Sequence, residues 1–198
     1  MNLDEFISEY DHNGMVLLFF GKRKLPLKEA VKIRELGILL ASKTKHITFR
    51  TGHALGADDA FGVGVAEVDI DRIQLILPNN GHRSRYRIGY TFRSIDDLIM
   101  VNEDKVIYWA KKHETTRKLV DRYLEGKRDR TTPKVAPIIR DAVMVVGHEN
   151  IAPTNVAVYW DDPNKPEEGG TGYTISILDK NNIVAFGQHV WGGWLSVS

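Results

Sequence analysis

The chain has 198 residues, with 27 lysines and arginines against 26 aspartates and glutamates, a formal net charge of +1. A charge this close to zero excludes a global basic field that would draw the protein to nucleic acid or an anionic membrane, so such binding needs a local patch. The absence of cysteine excludes disulfides and thiolate metal sites and fits a reducing compartment. With 42% hydrophobic residues, an acidic N-terminus lacking a signal-type apolar region and no run of membrane-spanning length, the expectation is a cytoplasmic, soluble protein without membrane contact. It is read as a single domain over 1–198.

Residues 15–20, Met-Val-Leu-Leu-Phe-Phe, form a continuous apolar run ending at Gly21, as a central parallel strand buried on both faces requires. Pro26 suits a first helical turn, and Ala30, Ile33, Leu36, Gly37, Leu40 and Ala41 supply a core-facing helical stripe. Residues 46–50 read as a second short strand. From Ala57 onward, apolar or small residues at 57, 60, 61, 64, 65 and 68 have helical spacing, and the Gly62-Val63-Gly64 triplet falls inside that helix as a close-packing device. Residues 72–77 are a third strand, stopped by Pro78. The alternation then breaks. A polar, basic loop over 79–87, helical segments near 94–112 and 115–126 and a charged link at 126–130 read as an insertion spanning 79–137. Arg140 lies on a helix ahead of a fourth strand at 155–160, and a helix over 171–180 precedes a fifth strand at 183–186. Trp191 and Trp194 are expected to cover a sheet edge or an oligomer surface. The pattern predicts an α/β fold: a doubly wound, mainly parallel, five-stranded Rossmann-like sheet in order 3-2-1-4-5, with a helical insertion.

Three loops at the expected carboxyl edge of that sheet carry candidate chemistry. Thr51-Gly52-His53-Ala54-Leu55-Gly56 must turn sharply from strand into helix, and the N–H groups at a helix start can bind an anion. No Lys-Ser or Lys-Thr follows Gly56, so this is not a Walker loop, nor is it a G-x-G-x-x-G dinucleotide fingerprint. Gly21-Lys22-Arg23 offers point-charge and bidentate phosphate contacts, or a plain basic surface turn. Gly169-Gly170-Thr171 makes a second cradle of phosphate size, with Thr171 as helix cap and hydroxyl donor. The ligand-binding set is therefore Gly21, Lys22, Arg23, Thr51, Gly52, His53, Ala54, Gly56, Asp58, Gly169, Gly170 and Thr171. Histidine spacing and the acid pairs Asp58-Asp59, Asp96-Asp97 and Asp161-Asp162 match no metal motif, so neither metal nor cofactor is expected. There is no G-x-S-x-G elbow and no cysteine nucleophile.

Thr51, Gly52, Ala54, Gly56 and Asp58 fall without a gap on the T/S-G-x-A-x-G-x-D signature of the Rossmann-like SLOG superfamily. That superfamily joins the DNA-processing protein A family to the Lonely-guy phosphoribohydrolases, and the chain resembles it over 15–78 and 135–187. Gly21-Lys22-Arg23 resembles the G-[S/T]-R segment of the former, with Lys22 in place of the hydroxyl residue. Residues 169–174 resemble the start of the P-G-G-x-G-T-x-x-E signature of the latter, and Arg140 stands, like its active-site arginine, four residues before a methionine, Met144. The resemblance implies a nucleotide or nucleotide-derived ligand, to be bound or sensed, and by family habit a homodimer. Two alternatives stay open. An N-glycosidic phosphoribohydrolase would draw on Arg140, His53 and Asp58, but Ser176 occupies the position of the family glutamate and His53 that of a glycine. A single-stranded DNA-binding protein would use Tyr86, Tyr90 and Phe92 among the arginines at 83–93, a cluster that reads equally as a solvated face.

Overall fold

The computed structural model describes residues 1–89, 91–99, 104–112, 117–130 and 132–196. At its centre is β1 (Val16–Gly21), whose side chains alternate between two cores. Leu17 and Phe19 enter one, Leu18 and Phe20 the other. A strand apolar on both faces must be covered on both, and helices do so here. On one side of β1 lie β2 (Thr48–Thr51), β3 (Ile73–Leu77) and β4 (Thr91–Ser94); on the other lie β5 (Val156–Trp160) and β6 (Ala185–Phe186). The order is β4-β3-β2-β1-β5-β6 and every pairing is parallel. Leu17 stands opposite Phe49 of β2 and Val156 of β5.

The first core is closed by α1 (Leu3–Tyr10), α2 (Leu27–Lys43), α3 (Ala57–Asp69) and α8 (Gln188–Trp191). Phe19 and Phe61 stack inside it, centroids 4.1 Å apart and planes 4° from parallel. Each large apolar side chain buried this way contributes about 1.5–3 kcal/mol. Close approach of α3 to α2 depends on Gly64, because a Cβ there would overlap the Arg34 carbonyl oxygen. Trp191 and Trp194 are buried in this core. Their indole N–H groups donate to Tyr159 O at 2.9 Å and Met1 O at 3.2 Å, so they cover the β5–β6 side of the sheet.

The second core lies beneath α4 (Asp104–Lys112), α5 (Arg117–Leu124), α6 (Thr132–Val146) and α7 (Gly169–Lys180). Arg50 of β2 is fully buried and ties the sheet to the last turn of α6: its Nε donates to Gln74 Oε1 at 2.7 Å and its Nη1 to Met144 O at 2.8 Å. A cation suits helix-terminal carbonyls, while burial lowers its pKa to about 10.

The Rossmann-like class and the order 3-2-1-4-5 are borne out, with one addition. A sixth strand, β4, pairs with β3 at the sheet edge, where the sequence pattern suggests loop and then helix from about 94. Its residues, Thr-Phe-Arg-Ser, show no apolar run, with Thr91 and Arg93 exposed and Ser94 buried, so the partner strand reveals it. The stretch read as an insertion supplies Val106, Trp109, Val120 and Tyr123 to the second core, and α6 runs unbroken across its expected end at 137. α7 begins at Gly169, two residues before the expected start, so Thr171 lies in its first turn instead of capping it. No helix among the described residues is long and apolar enough to cross a membrane.

Candidate functional site

The chain order places β1 between β2 and β5, so successive connections leave β1 and β5 toward opposite faces of the sheet. α2 follows β1 on the first face and α7 follows β5 on the second. Open α/β sheets bind ligands in the crevice that such a switch creates. A cleft of about 460 Å³ opens there, between the loop after β1, the start of α3, one face of α6 and the first turns of α7. It brings together Gly21, Lys22, Arg23, Ala54, Asp58, Arg140, Gly170 and Thr171 of the residues singled out from sequence.

These residues play different parts. Gly21 has no space for a side chain, since a Cβ would stand 2.5 Å from Trp160 O. Lys22 turns away from solvent: its Nζ donates to Glu168 O at 2.7 Å and Lys165 O at 3.2 Å and pairs with Asp161 at 3.1 Å. It therefore fixes the loop from β5 to α7 and its charge is balanced. Arg23 is exposed at the mouth, with no hydrogen bond or ion pair among the described residues, and so is Lys134 of α6.

The 51–58 loop is tied down from within. Gly56, at φ +90°, packs against the Lys22 and Arg23 carbonyls, and the Ala57 N–H donates to Lys22 O at 3.2 Å. The Ala54 N–H donates to Asp58 Oδ2 at 3.3 Å. Two N–H groups at this turn are thus already paired, and the Asp58 carboxylate sits on the positive end of α3. Burial pushes the Asp58 carboxyl up to about 6, against the pull of Arg140 and the Ala54 N–H. Arg140, itself buried, donates from Nη1 to Gly52 O at 2.7 Å and from Nε to Asp141 Oδ1 at 2.8 Å, with Nη2 2.7 Å from the same oxygen. Burial also raises the Asp141 pKa, opposed by Arg140 and then by the field of Arg23.

Thr51, Gly52, His53, Gly56 and Gly169 do not line the cleft. His53 is 1% exposed with its backbone at φ +52°, and its carbonyl accepts from His82 Nε2 and Arg83 Nη1, both at 3.1 Å. Desolvation and the Arg83 charge lower its pKa to about 4, leaving a neutral ring inside the loop. Ser176, at the position of the family glutamate, is exposed on α7 and donates to Tyr173 O at 2.8 Å.

Opposite the loop, α7 presents a more open end. Glu168 at its N-cap makes no side-chain cap bond, Gly169 and Gly170 are exposed, and the Thr171 hydroxyl makes no hydrogen bond among the described residues. Gly170 and Thr171 of its first turn line the cleft together with Arg23 and Lys134, and a helix start beside two cations is a suitable environment for an anion. The wall formed by Phe20, Pro137, Ile138 and Met144 is apolar. Of the lining residues of α6, sequence reasoning uses Met144 only to mark the spacing of Arg140, and it does not single out Pro133, Pro137 or Asp141 as site residues. Their spacing around Arg140, at i−7, i−3, i+1 and i+4, puts them on one helical face and is the signal that finds them.

Among the arginines at 83–93, Arg83 makes two 2.9 Å bonds to the Asp59 carboxylate, and Arg87 donates to Asn80 O and covers the Phe92 ring at 4.2 Å. Arg85 and Tyr86 are exposed, while Tyr90 lies outside the described residues. Among the described residues, no group of three His, Asp or Glu side chains is placed to hold a metal ion.

No protein-family model and no curated protein sequence matches the chain. Among solved structures, it is similar to DNA processing protein A from Helicobacter pylori, described for a unique single-stranded DNA binding mode. The identity is 12% and the TM-score 0.47, and the match covers 88% of this chain and 65% of that one.

Proposed function

We propose that the protein binds a nucleotide or nucleotide-derived anion in the cleft between β1 and β5, as a binding or sensing module. One observation carries this reading: Arg23 and Lys134 face a cleft at the topological switch point with no hydrogen bond or ion pair among the described residues, beside the start of α7, which has no side-chain cap. Lys22 and Arg140, by contrast, are already paired with Asp161 and Asp141. The two unpaired cations, the Thr171 hydroxyl and the α7 N–H groups suit a phosphate, and the apolar wall of α6 suits a base. The glycine-rich signature of the SLOG superfamily supports the same reading. A single-stranded DNA track draws less support, because Arg83 is paired with Asp59 of α3 and Arg87 is bonded to Asn80 O within its own loop. Hydrolysis of an N-glycosidic bond draws less as well, because α7 offers Ser176 where the phosphoribohydrolases carry glutamate.

Thermal-shift and calorimetric titration with mono-, di-, cyclic and ADP-ribose-type nucleotides tests the proposal. A ligand at 100 times its Kd stabilises by about 2.7 kcal/mol, which for a chain of this size raises the Tm by roughly 5–10 °C. The R23E/K134E double variant should abolish the shift while leaving the unliganded Tm nearly unchanged, since neither side chain has a hydrogen bond or ion pair to lose among the described residues. A panel that gives neither shift nor heat overturns the reading. Nanomolar, steeply salt-dependent binding of single-stranded DNA would replace it with the nucleic-acid alternative.

A further inference from the structure

A cleft built only for phosphate has no use for buried carboxylates, yet two of its lining groups are Asp58 of α3 and Asp141 of α6, 3% and 6% exposed. Arg140 is the guanidinium between them. It occupies only one oxygen of Asp141, placing Nε and Nη2 on Oδ1. The other oxygen, Oδ2, accepts no hydrogen bond from any described residue. It lies 3.7 Å from where a Cβ would sit on Gly170, so it is directed across the cleft at the first turn of α7. The Asp141 side chain is largely buried, which holds its pKa up, and Oδ2 is the oxygen it leaves open toward the cleft as an acceptor. A donor on a ligand lying in the cleft could reach it.

We infer that Asp141 is a specificity residue whose Oδ2 accepts a hydrogen bond from a ribose hydroxyl, making the ligand a ribonucleotide and not a deoxyribonucleotide. The inference rests on the nucleotide reading above and extends it. Position selects the hydroxyl over other donors. Oδ2 faces Gly170 and the α7 start, where the phosphate is placed, and the sugar is the part of a nucleotide adjacent to its phosphate. The base then falls further along α6, against Pro137 and Ile138. Gly170 contributes by having no side chain, which would otherwise stand between Oδ2 and the sugar. The neighbouring Asp58 adds negative charge to the same wall and so strengthens the preference for a ligand with hydroxyl donors there. A site that must hydrogen-bond a hydroxyl discriminates strongly against an analogue lacking it, because the buried acceptor is then left unpaired.

The experiment uses the full chain and isothermal titration calorimetry with the four 5′-ribonucleoside monophosphates and their 2′-deoxy and 3′-deoxy counterparts. For the tightest-binding base, removing one of the two hydroxyls is expected to weaken binding at least 10-fold. In D141N, with folding checked by circular dichroism, that ratio is expected to drop below 3-fold while the affinity for the deoxy ligand changes little. Equal affinity for all three sugars in the unmodified protein overturns the inference and leaves the nucleotide reading standing. A ratio that persists unchanged in folded D141N also overturns it, since the discrimination then comes from another residue. Absence of heat with all twelve ligands, together with the failure of the wider panel, removes both.

Discussion

Substituting Gly52 by alanine is a sharp test of the site, because this glycine makes room for Arg140 rather than for a ligand. A Cβ at position 52 would overlap the Arg140 Nη1 atom and stand 3.0 Å from Asp58 Oδ2. The Gly52 φ is not positive, so the alanine backbone itself is unstrained and would stabilise by about 0.4–1 kcal/mol through the unfolded chain. Against this, Arg140 must leave Gly52 O, a charged hydrogen bond contributing about 1.5–3 kcal/mol. It must also shift from Asp141, and disrupting a buried pair costs about 3–5 kcal/mol. Partial retention of the Asp141 contact brings the expected net loss to about 2–4 kcal/mol. Urea denaturation followed by fluorescence of the buried Trp191 and Trp194 measures it. The control is the same substitution in an Arg140→Ala background, where the obstacle is gone and Gly52→Ala should cost less than about 1 kcal/mol, giving a coupling of roughly 2 kcal/mol between the positions. Equal costs in the two backgrounds would refute the contact and with it the account of how Arg140 is held.

Two further predictions concern the frame and its charges. Gly64→Ala should destabilise by about 1–3 kcal/mol by forcing α3 off the Arg34 carbonyl, whereas Gly62→Ala, whose Cβ meets nothing nearer than 3.6 Å, should stabilise by up to about 1 kcal/mol; similar denaturation midpoints for both would contradict the packing described for α2 and α3. Asp58 is raised from 3.8 to about 6, so the native state binds the extra proton in that window and stability falls as pH rises through it, while His53, lowered from 6.5 to about 4, loses stability as pH falls from 6.5 to 4. Relative to the unmodified protein, Asp58→Asn should therefore gain stability from pH 4 to 6 and His53→Asn, which the left-handed backbone tolerates, should gain it from pH 6.5 to 4; parallel pH profiles for all three proteins in denaturation experiments would show that neither group titrates as described.

β1, β3 and β5 were legible because they are short, largely apolar runs of strand length. Residues 15–20 fill both cores, and that demand is visible in the residues themselves. β4 was not legible because Thr-Phe-Arg-Ser has no apolar run and takes its strand structure from the edge of β3; β2, Thr-Phe-Arg-Thr, is as polar and was read as a strand because it leads into the glycine turn at 51–56. α1 is a similar case in part. Its capping box, Asn2 with Glu5, is a local signal, but its burial of Phe6 depends on Phe186 and Trp194, at the far end of the chain.

The site divides along the same line between local and distant causes. Glycines that must be glycines, such as Gly21, Gly52 and Gly56, can be picked out because a turn needs them, but what fills the space they vacate cannot. At Gly52 it is an arginine 88 residues away, and at Gly56 it is the backbone of the β1 loop. That difference changes the chemistry of the loop. A glycine-rich turn into a helix reads as an anion cradle, yet here the Ala57 N–H is spent on Lys22 O and the helix end is already occupied by Asp58. The same exchange engages Lys22, whose ammonium holds the carbonyls leading into α7 and pairs with Asp161. It leaves α7, the second and less specific of the two motifs, as the more accessible helix end, with Arg23 and Lys134 as the cations free to act there. The strongest sequence signal thus marks the scaffold of the cleft, and the weaker one marks the surface available to a ligand.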